Sequence, residues 1–255
     1  MLEIDRRAFI QTGASALLSL GLVRPAVQPS GRPTLVCLFL RGGVDGLSMI
    51  VPHADPLYYR ARPHTAIPAS SVIDLNGYFG LHPGLAALKP FWDDGRLTLV
   101  PAAGFPEIER SHVEAQDRID ALLARSGAVT CKTLAHVACL IDGGQPPSIA
   151  VVNIGGWDTH VNQGAAAGRL ATRLQQLGRD IAAFAGRRCN VTVVAISEFG
   201  RAIHENRNGG TDHGHATTML ALGALPGARA GVWGSWPGLG ATNVAVTTDV
   251  RALFS

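Results

Sequence analysis

Residues 149–196 constrain the fold more than any other stretch of this 255-residue chain. The runs Ile149–Ile154 and Val191–Ile196 are apolar throughout most of their length and too short for stable helices, as in strands buried on both faces. Between them, within Gly164–Gly186, Leu170, Leu174, Leu177, Ile181 and Phe184 recur at spacings of 4, 3, 4 and 3. That rhythm predicts an amphipathic helix, with Arg169, Arg173, Gln176 and Asp180 on its other faces. Strand, helix and strand at this spacing make a βαβ unit, which requires parallel pairing. Thr34–Leu40 and Leu97–Val100 read as further strands, and Leu85–Trp92, Ser111–Ala124 and Lys132–Ile141 as further helices. The expected class is therefore α/β, a mainly parallel sheet flanked by helices on both faces. Residues 126–147 break the regular pattern, and Val246–Arg251 offers no obvious closing element.

Polar residues gather where these strands end. Thr34–Leu40 leads into Arg41-Gly42-Gly43-Val44-Asp45-Gly46, Ile149–Ile154 into Gly155-Gly156-Trp157-Asp158-Thr159-His160, and Val191–Ile196 into Ser197-Glu198-Phe199-Gly200-Arg201. In parallel strands those ends share one sheet edge, where open α/β folds bind ligands. A Gly-rich stretch, Gly210-Thr211-Asp212-His213-Gly214-His215, adds a further carboxylate and two imidazoles. Converging carboxylates repel, and a divalent cation is the simplest way to keep them ionised together. Mixed Asp, Glu and His donors suit zinc, manganese or a similar ion, calcium included. Each segment also has a plainer reading. Asp45 fits an Asx turn, Asp158 a helix N-cap beside a surface His160, and Glu198 with Arg201 a structural ion pair.

Ser111, before the helix at 111–124, fits an N-cap, with Glu114 completing a capping box. A serine there is also a candidate nucleophile, since the free N–H groups of a helix start favour an incoming anion. Arg110 and His112 flank it and are candidate partners for a phosphoryl or sulfuryl group.

The N-terminus carries Asp5-Arg6-Arg7-Ala8-Phe9 and then an apolar run from about Thr12 to Val23. An Arg pair ahead of a short apolar run reads as a twin-arginine export signal over residues 1–30, leaving 31–255 as one α/β domain. The expected location is the periplasm or cell exterior. The expected partners are the twin-arginine translocase during export and a small-molecule or glycan ester as substrate, with membrane contact only through an uncleaved signal. Net charge is +3, of which the first 33 residues hold four Arg against Glu3 and Asp5, so the remainder is near +1 and does not suit nucleic-acid binding. Cys37, Cys131, Cys139 and Cys189 are too scattered for a disulfide scaffold; Cys37 and Cys189 read as buried thiols, and a Cys131–Cys139 bridge stays open.

Taken in order, the segments Phe39–Leu47, Gly80-Leu81-His82-Pro83, Arg110–Gln116, Gly155–His160, Ser197–Arg201 and Gly210–Gly214 resemble a bacterial family of twin-arginine-exported proteins known as domain of unknown function 1501. That family is grouped with the alkaline phosphatase and sulfatase superfamily. The resemblance implies an alkaline phosphatase-like fold, two divalent metals, and hydrolysis of phosphate or sulfate esters with Ser111 as nucleophile. It implies Asp45 and Glu198 as ligands of one metal, and Asp158, His160 and His213, beside Asp212, as ligands of the other, with Arg110, His112 and Arg201 toward the substrate. Glu198-Phe199 stands where the superfamily commonly has Asp-His, so one imidazole is missing, and His204 or His215 would have to replace it. Asp158 and His160 are also closer than the usual Asp-x-x-x-His. The chain is short for the family between Gln116 and Ile149 and at its end, so a non-catalytic or degenerate metal-binding surface protein is the alternative expectation.

Overall fold

Strand β1 (Thr34–Leu40) is buried along almost its whole length, because it lies in the middle of an eight-stranded sheet with helical layers on both sides. The computed structural model describes residues 32–107, 111–223 and 230–253; the expected export signal over residues 1–30 and Arg110 lie outside the described residues. The other strands are β2 (Ile50–Val51), β3 (Ile73–Asp74), β4 (Gly80–Leu81), β5 (Leu97–Gly104), β6 (Val129–Cys131), β7 (Ile149–Ile154), β8 (Val191–Ile196), β9 (Arg201–Glu205), β10 (Thr211–His213), β11 (Thr217–Leu222), β12 (Gly231–Val232) and β13 (Thr248–Asp249). The α-helices are α1 (Gly46–Met49), α2 (Pro56–Ala61), α3 (Lys89–Asp93), α4 (His112–Arg125), α5 (Leu134–Asp142) and α6 (Arg169–Ala185). Among the described residues, no helix is long and apolar enough to cross a membrane.

The main sheet runs β12-β5-β11-β8-β1-β7-β6, with β13 also on β5. Every pairing is parallel except the two made by β11, so the class is α/β with a mixed, mostly parallel sheet. Side chains of β1 alternate between two cores, as a period of two demands. Val36, Leu38 and Leu40 pack with Leu170, Leu174, Leu177 and Ile181 of α6 and Val137 of α5. Cys37 and Phe39 face the other way, toward Ile119 and Leu123 of α4. Register then aligns the strand ends: Leu40 lies opposite Ile154, and Phe39 opposite Ile196. The loops beginning at Arg41, Gly155 and Ser197 therefore leave from one edge.

Several expectations need correction. Helix α6 starts at Arg169 rather than at Gly164, because Gly164 and Gly168 have φ of +83° and +115°, which no continuing helix admits. The span 85–92 is a 3-10 turn over Pro83–Leu88 running into α3, with Leu85 non-helical. Strand β5 extends to Gly104, and β11 inserts antiparallel between β8 and β5. The final segment does close the sheet, since Thr248 and Asp249 pair with Ala103 and Gly104. All four thiols are free, and Cys189 is exposed rather than buried. Burial pushes the Cys37 thiol up to about 12.

Candidate functional site

The carboxyl ends of β1, β5, β7 and β8 meet the amino end of the antiparallel β11 at one edge, so residues from five separate segments can converge there. Glu198, directly after β8, is buried. Its Oε1 accepts the Gly42 N–H at 2.7 Å and the Gln116 side-chain amide at 3.0 Å, and lies 2.8 Å from His112 Nδ1. Ser197 Oγ lies 2.8 Å from the second oxygen. Burial alone would raise the Glu198 pKa, but the hydrogen bonds from Gln116, its own backbone, Ser197 and Gly42 outweigh that and hold it below the usual value. A carboxylate only accepts, so Nδ1 of His112 carries the proton of that contact, and Nε2 is the ring nitrogen left for a further ligand. That Nε2 is buried without a hydrogen-bond partner, 3.6 Å from Asp158 Oδ1.

Around Asp158 stand three imidazoles. Its Oδ1 lies 3.0 Å from His160 Nε2 and 3.4 Å from His213 Nε2, and accepts the Arg201 guanidinium at 2.6 Å. Burial would raise the Asp158 pKa, yet Arg201, with His160 and His112, holds it below the ordinary range. His160 Nδ1 is 3.2 Å from Asp212 Oδ1, whose carboxyl is held low first by the Asn206 amide. His160 and His213 bring their Nε2 atoms within 2.9 Å of one another. Two imidazole lone pairs cannot face each other at that distance without a proton or cation between them. One donor atom each from His112, Asp158 and His213 lies within 4.8 Å of the others. The Phe199 ring backs this group, 4.8 Å from His112 and 4.9 Å from His213 between centroids.

Two features set this geometry. Arg201 is buried and donates to the carbonyls of Gly42, Gly43, Trp157 and Thr211 as well as to Asp158. Its donors are thus committed to tying three loops together rather than turned toward a ligand. Gly42, at φ +120°, lies against the next loop so closely that a Cβ would sit 2.6 Å from Asp158 N.

The structure brings His112, Asp158, His160, Asp212 and His213 into one group, with Glu198 and Arg201 behind it as supports. It does not bring Asp45 there. Asp45 Oδ2 accepts from Arg62 and Gln163, each at 2.6 Å, and from Ser48 at 2.7 Å, in a fully buried network. Arg62 in turn donates to Ile203 O and Ala202 O of β9. Burial works to raise the Asp45 pKa, and the Arg62 charge and hydrogen bond overcome it and lower it. Asp158 caps no helix, since α6 has Gly168 as N-cap, and Arg201 pairs with Asp158 rather than Glu198. Ser111 is the N-cap of α4, its Oγ accepting from Glu114 N at 3.5 Å, one residue before His112. His215 hydrogen-bonds Phe105 O, and His204 is exposed, so neither joins the group.

Sequence reasoning passed over Gln116, Arg62, Gln163 and Asn206. Gln116 lies one turn after His112, a spacing that puts both on one helix face and could have marked it as a second donor. Nothing local marks Arg62 or Gln163, whose partners lie 17 and 118 residues away.

A family model described as Protein of unknown function (DUF1501) matches residues 140–255, a stretch that includes β7, α6 and β8 to β13, and supports that family for this part of the chain. No curated protein matches the chain.

Proposed function

We propose that the chain holds one divalent metal ion on His112, Asp158 and His213, with His160 adjoining, and hydrolyses phosphate or sulfate esters there. The observation that carries this reading is Nε2 of His112, buried without a hydrogen-bond partner and 3.6 Å from Asp158 Oδ1 on a ring fixed by Glu198. Histidines that bind metals commonly give their other N–H to a carboxylate, and His112 with Glu198 and His160 with Asp212 both have that form. Nitrogen-rich donors suit zinc or manganese better than calcium, which prefers oxygen. A metal pair of the alkaline phosphatase type does not fit as a whole, because Asp45 is committed to Arg62 and Glu198 to its donors. A bound ion supplies Lewis acidity at the ester oxygens. Ser111, at the start of α4, is the candidate nucleophile, and Asp212 with His160 is placed to hold and pass a proton.

The strand-end placement of these donors supports an alkaline phosphatase-like assignment, and Arg6-Arg7 supports export to the periplasm or cell exterior. The commitment of Asp45 favours, as a second reading, metal binding without ester turnover. Elemental analysis of the purified chain tests the proposal: roughly one zinc or manganese per chain is expected, lost in His213→Ala. No metal after reconstitution with either ion would sink it. Ester turnover that persists in Ser111→Ala would remove the nucleophile assignment, and metal without any turnover would leave the second reading.

A further inference from the structure

Beside the histidine group lies a surface cleft of about 800 Å³, which the reading above leaves without a role. The two share a wall. Val161 and Asn162 follow His160 directly, and the Asn206 amide, which lines the cleft, donates to His160 O at 3.0 Å and to Asp212 Oδ1 at 2.9 Å. The wall is fixed by its backbone: Asn162 N–H donates to Asn208 O at 3.0 Å, and Gln163 N–H to Gly209 O at 2.8 Å. Among the described residues, the side chains of Asn162, His204, Arg207 and Asn208 line this cleft and make no hydrogen bond inside the protein.

Those groups define a chemistry. Amides and imidazoles both donate and accept, which matches hydroxyl groups that do the same. The cleft's carboxylate, Glu205, is used up by the Thr65 hydroxyl, the backbone N–H groups of His64 and Thr65, and the His64 ring. Among the described residues, one free guanidinium is too little positive charge for a polyphosphate, and no Phe, Tyr or Trp lines the cleft to take a base or an apolar ring. Ala61, Pro63 and Val161 add apolar lining suited to the C–H face of a pyranose. A volume of this size lies in the range that accommodates small ligands.

We propose that this cleft binds one or two sugar residues of a glycan whose ester group lies at the His112–Asp158–His213 group. The place of that glycan as substrate rests on the hydrolytic reading, whereas the affinity of the cleft does not. The full chain is applied to an array of neutral and uronate-containing oligosaccharides, and the best binder is titrated by calorimetry against the parent, an Arg207→Ala/Asn208→Ala variant and His213→Ala. Both residues of the double variant are exposed and their side chains have no partner within the protein, so folding is expected to persist, with an unchanged melting temperature as the control. We expect binding that weakens about tenfold or more in the double variant, the loss of one or two net hydrogen bonds, and holds in His213→Ala. Absence of any bound oligosaccharide, or equal affinity in the double variant, overturns the proposal. Glycan binding without metal or turnover would defeat the hydrolase reading alone, and metal with turnover but no glycan binding would defeat the cleft alone.

Discussion

Asp45 and Asp158 both follow a strand of the same sheet edge in a Gly-rich loop, yet they end in opposite environments. Asp45 is fully buried and meets a guanidinium, two amide or hydroxyl donors, and no imidazole. Asp158 is half exposed, and the one oxygen that accepts from Arg201 is also the one that three histidines surround. The first arrangement commits Oδ2 and locks α1, β9 and the loop at Gln163 together, while Oδ1 stays buried without a hydrogen-bond partner. The second leaves donors with capacity to spare. An acid at a strand end is therefore no indication of a ligand until all its partners are known: both acids pair with an arginine, and of the two Asp158 also meets histidines and solvent.

The largest test of that contrast is Arg62→Ala. It strands a buried carboxylate, and removing one partner of a buried pair typically costs about 3–5 kcal/mol. Denaturant unfolding should show a loss of that order, with part of it recovered by adding Asp45→Asn. The pH dependence has a definite sign. The folded pKa of Asp45 is depressed, so its contribution is present above the unfolded value of about 3.9 and lost as pH falls through the folded one. The gap in stability between parent and Arg62→Ala should thus narrow as pH drops below about 4. A gap that stays constant would mean that Asp45 is not the partner that matters.

Next in size is Gly42→Ala. A left-handed backbone and a Cβ driven into the 157–158 peptide should together cost about 2–4 kcal/mol. Because that backbone carries Asp158, metal should be lost along with stability, unlike in Arg62→Ala, where the histidine group is not directly touched. Retention of metal in Gly42→Ala, measured by elemental analysis, would show that the loops can part without opening the site.

Much of this architecture was legible in the chain, and the failures share one cause. β1, β7 and β8 fall where continuous apolar runs place them, since a strand buried on both faces has no polar positions to blur it. α6 follows its 4-3 apolar rhythm except at its start, where two glycines delay it. β11 was missed because Thr217–Leu222, apolar only from Met219, has no alternation and nothing local marks an antiparallel insertion between two parallel strands. The convergence of strand-end loops followed from parallel topology, and with it the nearness of Asp158, His160 and His213. The sorting of Asp45 from Asp158 did not, because Arg62 and Gln163 reach Asp45 only through the fold.

Glu198→Gln tests the open arrangement more finely. The amide keeps the shape of the side chain and one acceptor oxygen but loses the charge that favours the proton on His112 Nδ1. Loss of such a support commonly weakens metal binding about 10- to 100-fold. A competition titration with a chelator should show that drop, and proton NMR of the imidazole should show the His112 tautomer redistributed. Unchanged affinity would mean that His112 is held by packing on Phe199 alone.

Asp212→Asn should have the smallest effect on folding, within about 0.5 kcal/mol, because its carboxylate is exposed and its partners are solvated. Its effect on the site separates two roles for His160. If His160 is a fourth ligand, the loss of its carboxylate support weakens metal binding measurably, as in Glu198→Gln but less. If His160 only passes a proton, metal affinity stays at the parent value while the pH profile of ester turnover shifts. Measuring both on the same variant decides which role the exposed half of the cluster plays, and whether solvent exposure takes a carboxylate of this group out of metal binding.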